Sequence, residues 1–184
     1  MNSRFLYFFI AVITLSSFAV RVFPHVPNFT PVGALALFVG VYFIKKHWYG
    51  IFLPLALMLF SDSVIGFYDF KLMAVVYLSI LGYCAFGMLA AKKMRAGALA
   101  LCAIGGALLF YLATNFAVWA FSPWYPHNLQ GLMLSYNLAL PFFRYTILGD
   151  LFFTGVFFGA YEFSRKYLFC TNSQIAQKIR KVGI

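Results

Sequence analysis

The sequence predicts an all-α integral membrane protein with six transmembrane helices, and its composition is the first observation that predicts it. Of the 184 residues, 64% are hydrophobic and only 10% are charged, whereas a soluble domain is usually about 45–50% apolar and about 25% charged. A soluble chain of this size cannot bury so much apolar surface, which excludes an ordinary soluble enzyme, a disordered chain and a secreted disulfide scaffold. Six spans of about 20 residues would use about 120 residues.

The first predicted span covers residues 5–20 and lies between Arg4 and Arg21. A secretory signal peptide is the alternative, but the apolar core is long for one and Arg21 follows it at once, which favours a retained span. The next stretch, residues 22–31, contains three prolines that forbid a regular helix. Because the apolar run 32–44 is short for a span, we expect this loop to fold down over protein or a water-filled cavity.

Four further apolar runs complete the predicted bundle, at residues 48–64, 72–91, 96–121 and 145–161. Pro141 and Arg144 are predicted to lead into the last span. Within that span, Gly155 and Gly159 form a GxxxG pair that would let a neighbouring helix approach closely. We expect a transmembrane domain at residues 1–168 and a short cytoplasmic amphipathic tail at residues 169–184.

The charges supply the second observation and give the predicted orientation. The chain carries 14 lysines and arginines against four acidic residues, a net charge of +10. In a soluble protein this would indicate nucleic acid. Here, with the N-terminus in the cytoplasm, eleven of the 14 basic residues fall on the cytoplasmic side and only Arg21, Lys71 and Arg144 on the other. The positive-inside rule therefore predicts cytoplasmic termini, with the lipid bilayer rather than nucleic acid as the partner.

Polar residues collect toward the predicted outer ends of the spans. Residues such as Asn115, Asp150 and Thr154 lie further inside the predicted spans than the hydrated membrane interface would explain. Ionisable groups inside a bilayer are usually functional. The alternative is that all of them only mark that interface. We expect an outward-facing polar cavity with the loop 22–31 as its lid. Its candidate substrate-binding residues are His25, Asn28, Asp62, Asn115, Arg144, Asp150 and Thr154.

No enzyme is predicted, because the sequence contains no HExxH, GxSxG, P-loop or GxGxxG motif and no two histidines with metal-ligand spacing. The three cysteines, Cys84, Cys102 and Cys170, share no CxxC spacing. This excludes a zinc site and a disulfide framework. A cysteine within a span is usually a small packing residue.

Five stretches resemble a bacterial family of small six-span membrane proteins that are similar to the substrate-binding S-components of energy-coupling-factor (ECF) vitamin transporters. They are residues 21–34 (RVFPHVPNFTPVGA), 61–62 with Gly66, 114–119 (TNFAVW), 141–144 (PFFR) and 149–154 (GDLFFT). The resemblance covers about residues 18–162. It implies an S-component-like bundle in the bacterial cytoplasmic (inner) membrane that takes up a vitamin.

Among the relatives of this family, BtuM-type cobalamin transporters can ligand the cobalt of cobalamin with a membrane cysteine. The resemblance thus implies cobalamin or a related corrinoid as substrate, not as resident cofactor, with Cys84 as the cobalt ligand. An ECF energising module is the implied partner, although the first span lacks the Ala-xxx-Ala face that S-components commonly use for docking. The alternatives are an S-component-like transporter for another small molecule, with Cys84 only packing, or a non-transporting membrane scaffold or assembly factor.

Overall fold

The structure, a computed structural model, describes residues 3–45, 47–92 and 94–182, and within these ranges the side chains of residues 4–167. The described residues are all-helical, as predicted. A short 3₁₀ turn, Trp48–Ile51, leads into the third helix. The six α-helices are α1 Ser3–Val22, α2 Val32–Tyr42, α3 Phe52–Ile65, α4 Phe70–Ala90, α5 Ala96–Phe121 and α6 Leu129–Val182.

Four helical segments of the described chain are long and apolar enough to cross a membrane: Arg4–Val22, Trp48–Ile65, Phe70–Ala90 and Ala96–Phe121. Many of their large apolar side chains face outward instead of into the bundle. A soluble protein rarely exposes so much contiguous apolar surface, so the chain has the character of a membrane-embedded protein. We call the end of the bundle where α1 ends and α4 begins the Asp69 end, and the opposite end the Lys45 end.

Helix α2 occupies the centre of the bundle. Its residues from Val32 to Val41 are all buried, and it contacts each of the other five helices. At 1.5 Å per residue a helix of 11 residues is about 16 Å long, roughly half the hydrocarbon thickness of a bilayer. The central helix therefore does not extend through the whole bundle. This leaves space between the other helices at the Asp69 end, where α2 begins.

The Pro-rich loop that precedes α2 folds against α6, as expected. The ring of Phe29 lies 5.8 Å from that of Phe152 and 5.4 Å from that of Phe153, measured between centroids. A Cβ atom on Gly149 would come within 3.2 Å of the backbone of Phe29 and Thr30, so the missing side chain lets the loop lie directly on the helix. Loop and helix together form the entrance region at the Asp69 end.

The closest approach between α2 and α4 depends on two glycines. A Cβ atom on Gly40 would lie 3.0 Å from Cα of Gly87, and one on Gly87 would lie 2.9 Å from Cα of Gly40. Small residues at such a crossing allow two backbones to meet. The expected contact at Gly155 and Gly159 was wrong: no atom of the described residues lies within 4 Å of where their Cβ atoms would stand.

We expect Gly40→Ala to destabilise the protein by about 1–3 kcal/mol, the usual cost of overpacking. The added methyl group would meet the carbonyl oxygen of Cys84, a backbone atom that cannot rotate away. The measurement is thermal unfolding in detergent, followed by circular dichroism. Gly159→Ala, in open space, is the matched control and should not lower the unfolding temperature. Equal unfolding temperatures for the two variants would contradict the proposed crossing.

Helix α6 is longer than the sequence predicted. The last span was expected to begin at residue 145, but the helix begins at Leu129 and continues through Pro141 to Val182. Proline removes one helical hydrogen bond, and neighbouring helices in membrane bundles make this tolerable. Hydrogen bonds with α5 hold α6 just before this proline, since Tyr111 Oη donates to the Tyr136 carbonyl at 2.7 Å and Tyr136 Oη to the Leu112 carbonyl at 2.9 Å. The carbonyl that loses its helical donor at Pro141 is that of Asn137.

The helical backbone of α6 runs past residue 168 without a break. The side chains of the predicted amphipathic tail, residues 169–184, lie outside the described ones. Before that point, Tyr42 Oη donates to Glu162 Oε1 at 2.6 Å, and Arg165 pairs with the other oxygen of Glu162 at 2.6 Å. This network joins α2 to α6 at the Lys45 end.

Candidate ligand-binding site

A polar cavity lies at the Asp69 end of the bundle, and we call it the Asp150 cavity. It has a volume of about 90 Å³, and all six helices contribute to its wall together with the loop before α2. Apolar side chains of α2, α3, α4 and α5 make up much of the wall. Its polar lining residues are Arg21, Asn28, Thr30, Tyr83, Thr146 and Asp150.

A second cavity of about 190 Å³ lies between the Pro-rich loop, α5 and α6. We call it the aromatic cavity. It shares Asn28, Phe110 and Thr146 with the Asp150 cavity, so the two adjoin. On its wall the rings of Tyr111 and Phe143 are stacked, with centroids 4.4 Å apart. The pair of cavities thus places the Asp150 carboxylate next to a wall that carries stacked aromatic rings.

Asp150 is a deeply buried residue of this site, with 3% of its surface exposed. Its Oδ2 atom accepts a short hydrogen bond from Tyr83 Oη. Its Oδ1 atom has no hydrogen-bond partner among the described residues, and it faces Gly33, where a Cβ atom would collide with it. Gly33 therefore makes the room that the carboxylate occupies.

A buried ion pair stands beside the Asp150 cavity. Arg21, at the end of α1, pairs with Oδ1 of Asp62 on α3. The other carboxylate oxygen of Asp62 accepts a hydrogen bond of 2.8 Å from Tyr77 Oη on α4. Asp62 is 1% exposed and lines neither cavity, so it reaches the site only through Arg21. The pair ties three helices together and neutralises the one cation in the lining of the two cavities.

Three of the predicted binding residues lie on the cavity walls. Asp150 lines the polar chamber, Asn115 lines the aromatic one, and Asn28 lines both. Asn28 has a φ angle of 64°, a left-handed conformation that asparagine adopts more readily than most residues. The amide of Asn115 donates to the Tyr111 carbonyl at 2.8 Å, which fixes its orientation at the wall.

Three other predicted residues line neither cavity. His25 is exposed, with Nδ1 2.8 Å from the Phe23 carbonyl oxygen. Arg144 is also exposed and donates to Tyr145 Oη at 3.2 Å. Thr154 is buried, and its hydroxyl has no hydrogen-bond partner, so sharing a helix face with Asp150 does not bring it to the same chamber.

Cys84 is fully buried, with 0% of its surface exposed, and it lines neither cavity. It lies in α4 at the glycine crossing with α2, where its backbone carbonyl faces Gly40. In this structure the thiol is part of the apolar core. The described residues contain no group of three or more histidine, cysteine, aspartate or glutamate side chains able to hold a metal ion.

Sequence reasoning missed several residues of the site. The sequence marks Arg21 only as a basic residue that flanks the first span, and Tyr83 has no signal that separates it from the other aromatic residues. Thr146 could have been found, because it precedes Asp150 by one helical turn and therefore lies on the same face. Gly33 becomes meaningful only once the position of the Asp150 carboxylate is known.

Comparison with known families matches residues 1–174 to the model of DUF6580, which is described as a family of unknown function. No curated protein and no solved structure matches the chain. The description of the family names no activity, substrate or partner.

Proposed function

We propose that this chain, which belongs to the DUF6580 family of unknown function, is a substrate-binding membrane uptake protein that resembles an ECF-type S-component. In this proposal it crosses the bacterial cytoplasmic membrane six times with both termini inside, and a small molecule of the vitamin class enters from outside under the loop 22–31. The observation that carries the proposal is the buried Asp150 carboxylate on the wall of a cavity within an apolar bundle. Buried ionisable groups of this kind mark substrate pathways in membrane proteins.

The distribution of basic residues supports the direction of entry. Lys45 and Lys92 follow the ends of α2 and α4 at the Lys45 end, whereas Arg21 and Lys71 lie at the Asp69 end. Arg21 is neutralised by Asp62, which reduces the positive charge at the Asp69 end further. Because cytoplasmic loops carry the excess of lysine and arginine, the cavity faces away from the cytoplasm in this proposal.

The size of the site favours a compact substrate. The two adjoining cavities, of about 90 and 190 Å³, are smaller than most sites for drug-sized ligands, about 300–1,000 Å³. Cobalamin, the substrate implied by the resemblance, is larger than such ligands, and it would need the Cys84 thiol to leave the core. The geometry therefore favours the alternative of another, smaller small molecule.

The test of the proposal is identification of a compound that copurifies with the protein. The full chain would be purified in mild detergent, and extracted small molecules would be identified by mass spectrometry. We expect a compound that is enriched with the native chain and with Asp69→Asn, a surface control, but lost with Asp150→Asn. No enriched compound, together with a functionally silent Asp150→Asn, would instead favour a membrane scaffold or assembly factor.

Replacement of Cys84 by serine separates the two substrate classes. Because the thiol lies outside both cavities, we expect Cys84→Ser to retain the copurifying compound at the level of the native chain. Added cobalamin should show no spectral change with either protein. A cobalamin spectrum that shifts with the native chain and not with Cys84→Ser would reverse this conclusion and make cobalamin the substrate.

A further inference from the structure

The charges around the Asp150 cavity do not balance. Two ionisable side chains of opposite sign line it, Arg21 and Asp150. Arg21 already has a partner, since it pairs with Asp62 outside the cavity. Among the described side chains, the partner found for Asp150 is the Tyr83 hydroxyl and not a basic group. The protein's own described side chains therefore leave the buried Asp150 carboxylate without a cation.

The structure also leaves one face of that carboxylate open to the cavity. Tyr83 donates to Oδ2, while Oδ1 lies against Gly33 and belongs to a side chain that lines the cavity. A buried carboxylate is costly unless it is paired and hydrogen-bonded, and here a single tyrosine hydroxyl is the partner that the protein provides. The missing partner has to be a hydrogen-bond donor, and a positively charged donor would compensate the charge as well.

We propose that the site recognises a compact organic cation. Its ammonium group or protonated ring nitrogen would donate to Oδ1 of Asp150, and its flat apolar part would lie in the adjoining aromatic cavity, against the stacked rings of Tyr111 and Phe143. This inference rests on the proposed function, because it names the substrate class of the same cavity. In the proposed site an ionised Asp150 selects a positively charged ligand. The alternative is a site in which a protonated Asp150 holds a neutral ligand.

The test uses three probes with the same phenyl ring: benzylamine, benzyl alcohol and benzoate. Each is titrated at neutral pH against the full chain in lipid nanodiscs, and binding is measured from the rise in unfolding temperature with concentration. We expect benzylamine to stabilise the protein and the other two to leave it unchanged. Loss of a charged hydrogen bond in Asp150→Asn should weaken benzylamine binding by about tenfold to a hundredfold. Asp69→Asn, the same chemical change outside the cavity, should bind as the native chain does.

Other binding results would contradict the selection of a cation or the role of Asp150. If benzyl alcohol or benzoate stabilises the native chain as much as benzylamine does, the selection of a cation is wrong while the uptake function stands. Benzylamine binding that is unchanged in Asp150→Asn also overturns the inference. If none of the three probes binds, the inference fails, and the copurification experiment alone decides the proposed function. Should Asp150→Asn not fold, the ranking of the three probes on the native chain decides.

Discussion

Replacement of Asp62 by asparagine should destabilise the protein by about 3–5 kcal/mol, the usual cost of removing one partner of a buried ion pair. The substitution keeps the shape of the side chain and removes its charge. Arg21, only 19% exposed at its side chain, would then remain without the carboxylate that neutralises it, and Tyr77 Oη would lose a charged acceptor. The contacts of α1 and α4 with α3 would weaken together, which unfolding in detergent, monitored by circular dichroism, would measure.

Asp69→Asn is the matched control for this experiment. Oδ1 of Asp69 accepts hydrogen bonds from the backbone N–H groups of Lys71 at 2.9 Å and Leu72 at 3.1 Å, so the residue caps the start of α4. Asparagine caps a helix about as well as aspartate does, and we expect little change. If Asp62→Asn and Asp69→Asn unfold at the same temperature, the Arg21–Asp62 pair does not stabilise the bundle.

Gly33→Ala should remove ligand binding, and it should destabilise the protein less than Asp62→Asn does. The added methyl group would overlap Oδ1 of Asp150 and come 2.7 Å from Cε1 of Tyr83, so the oxygen proposed to meet the ligand would have to move. We expect at least about a tenfold loss of affinity, corresponding to about 1.4 kcal/mol. The measurement is the amount of copurifying compound per protein, with benzylamine affinity as a second readout.

The control for Gly33→Ala is Gly97→Ala near the start of α5, because no atom lies within 4 Å of where that Cβ atom would stand. This variant should keep the native affinity. If Gly33→Ala binds as tightly as Gly97→Ala does, the ligand does not use Oδ1 of Asp150, and the binding site has to be sought in the aromatic cavity alone.

The helix boundaries could be predicted where composition alone determines them. The predicted span 96–121 coincides with α5, and the span 72–91 differs from α4 by two residues or fewer at each end. The start of α6 could not be predicted, because proline is a helix boundary in most local contexts and the hydrogen bonds that hold the helix before Pro141 are made with α5, an element that local sequence does not reveal. Local patterns also misplaced the close helix contact, which is formed by Gly40 and Gly87 instead of the GxxxG pair.

The candidate site was predictable in its location and only partly in its members. Scarce polar residues such as Asp150 and Asn115 stand out in an apolar sequence, and the structure brings both to cavity walls. Partners cannot be found in this way, because pairing depends on how helices distant in the chain face one another. Arg21 and Asp62 are 41 positions apart, and Tyr83 and Asp150 are 67 positions apart.

The short central helix has a consequence for how the protein is made. A segment of 11 residues falls well below the about 20 that an independent span needs, so α2 is not expected to enter the bilayer by itself during synthesis. Its neighbours have to be present first, and α4, α5 and α6 all follow it in the chain. Insertion of α2 is therefore a late event, completed when the C-terminal half arrives, and a chain truncated before α4 should leave α2 accessible to water-soluble thiol reagents at a cysteine introduced there.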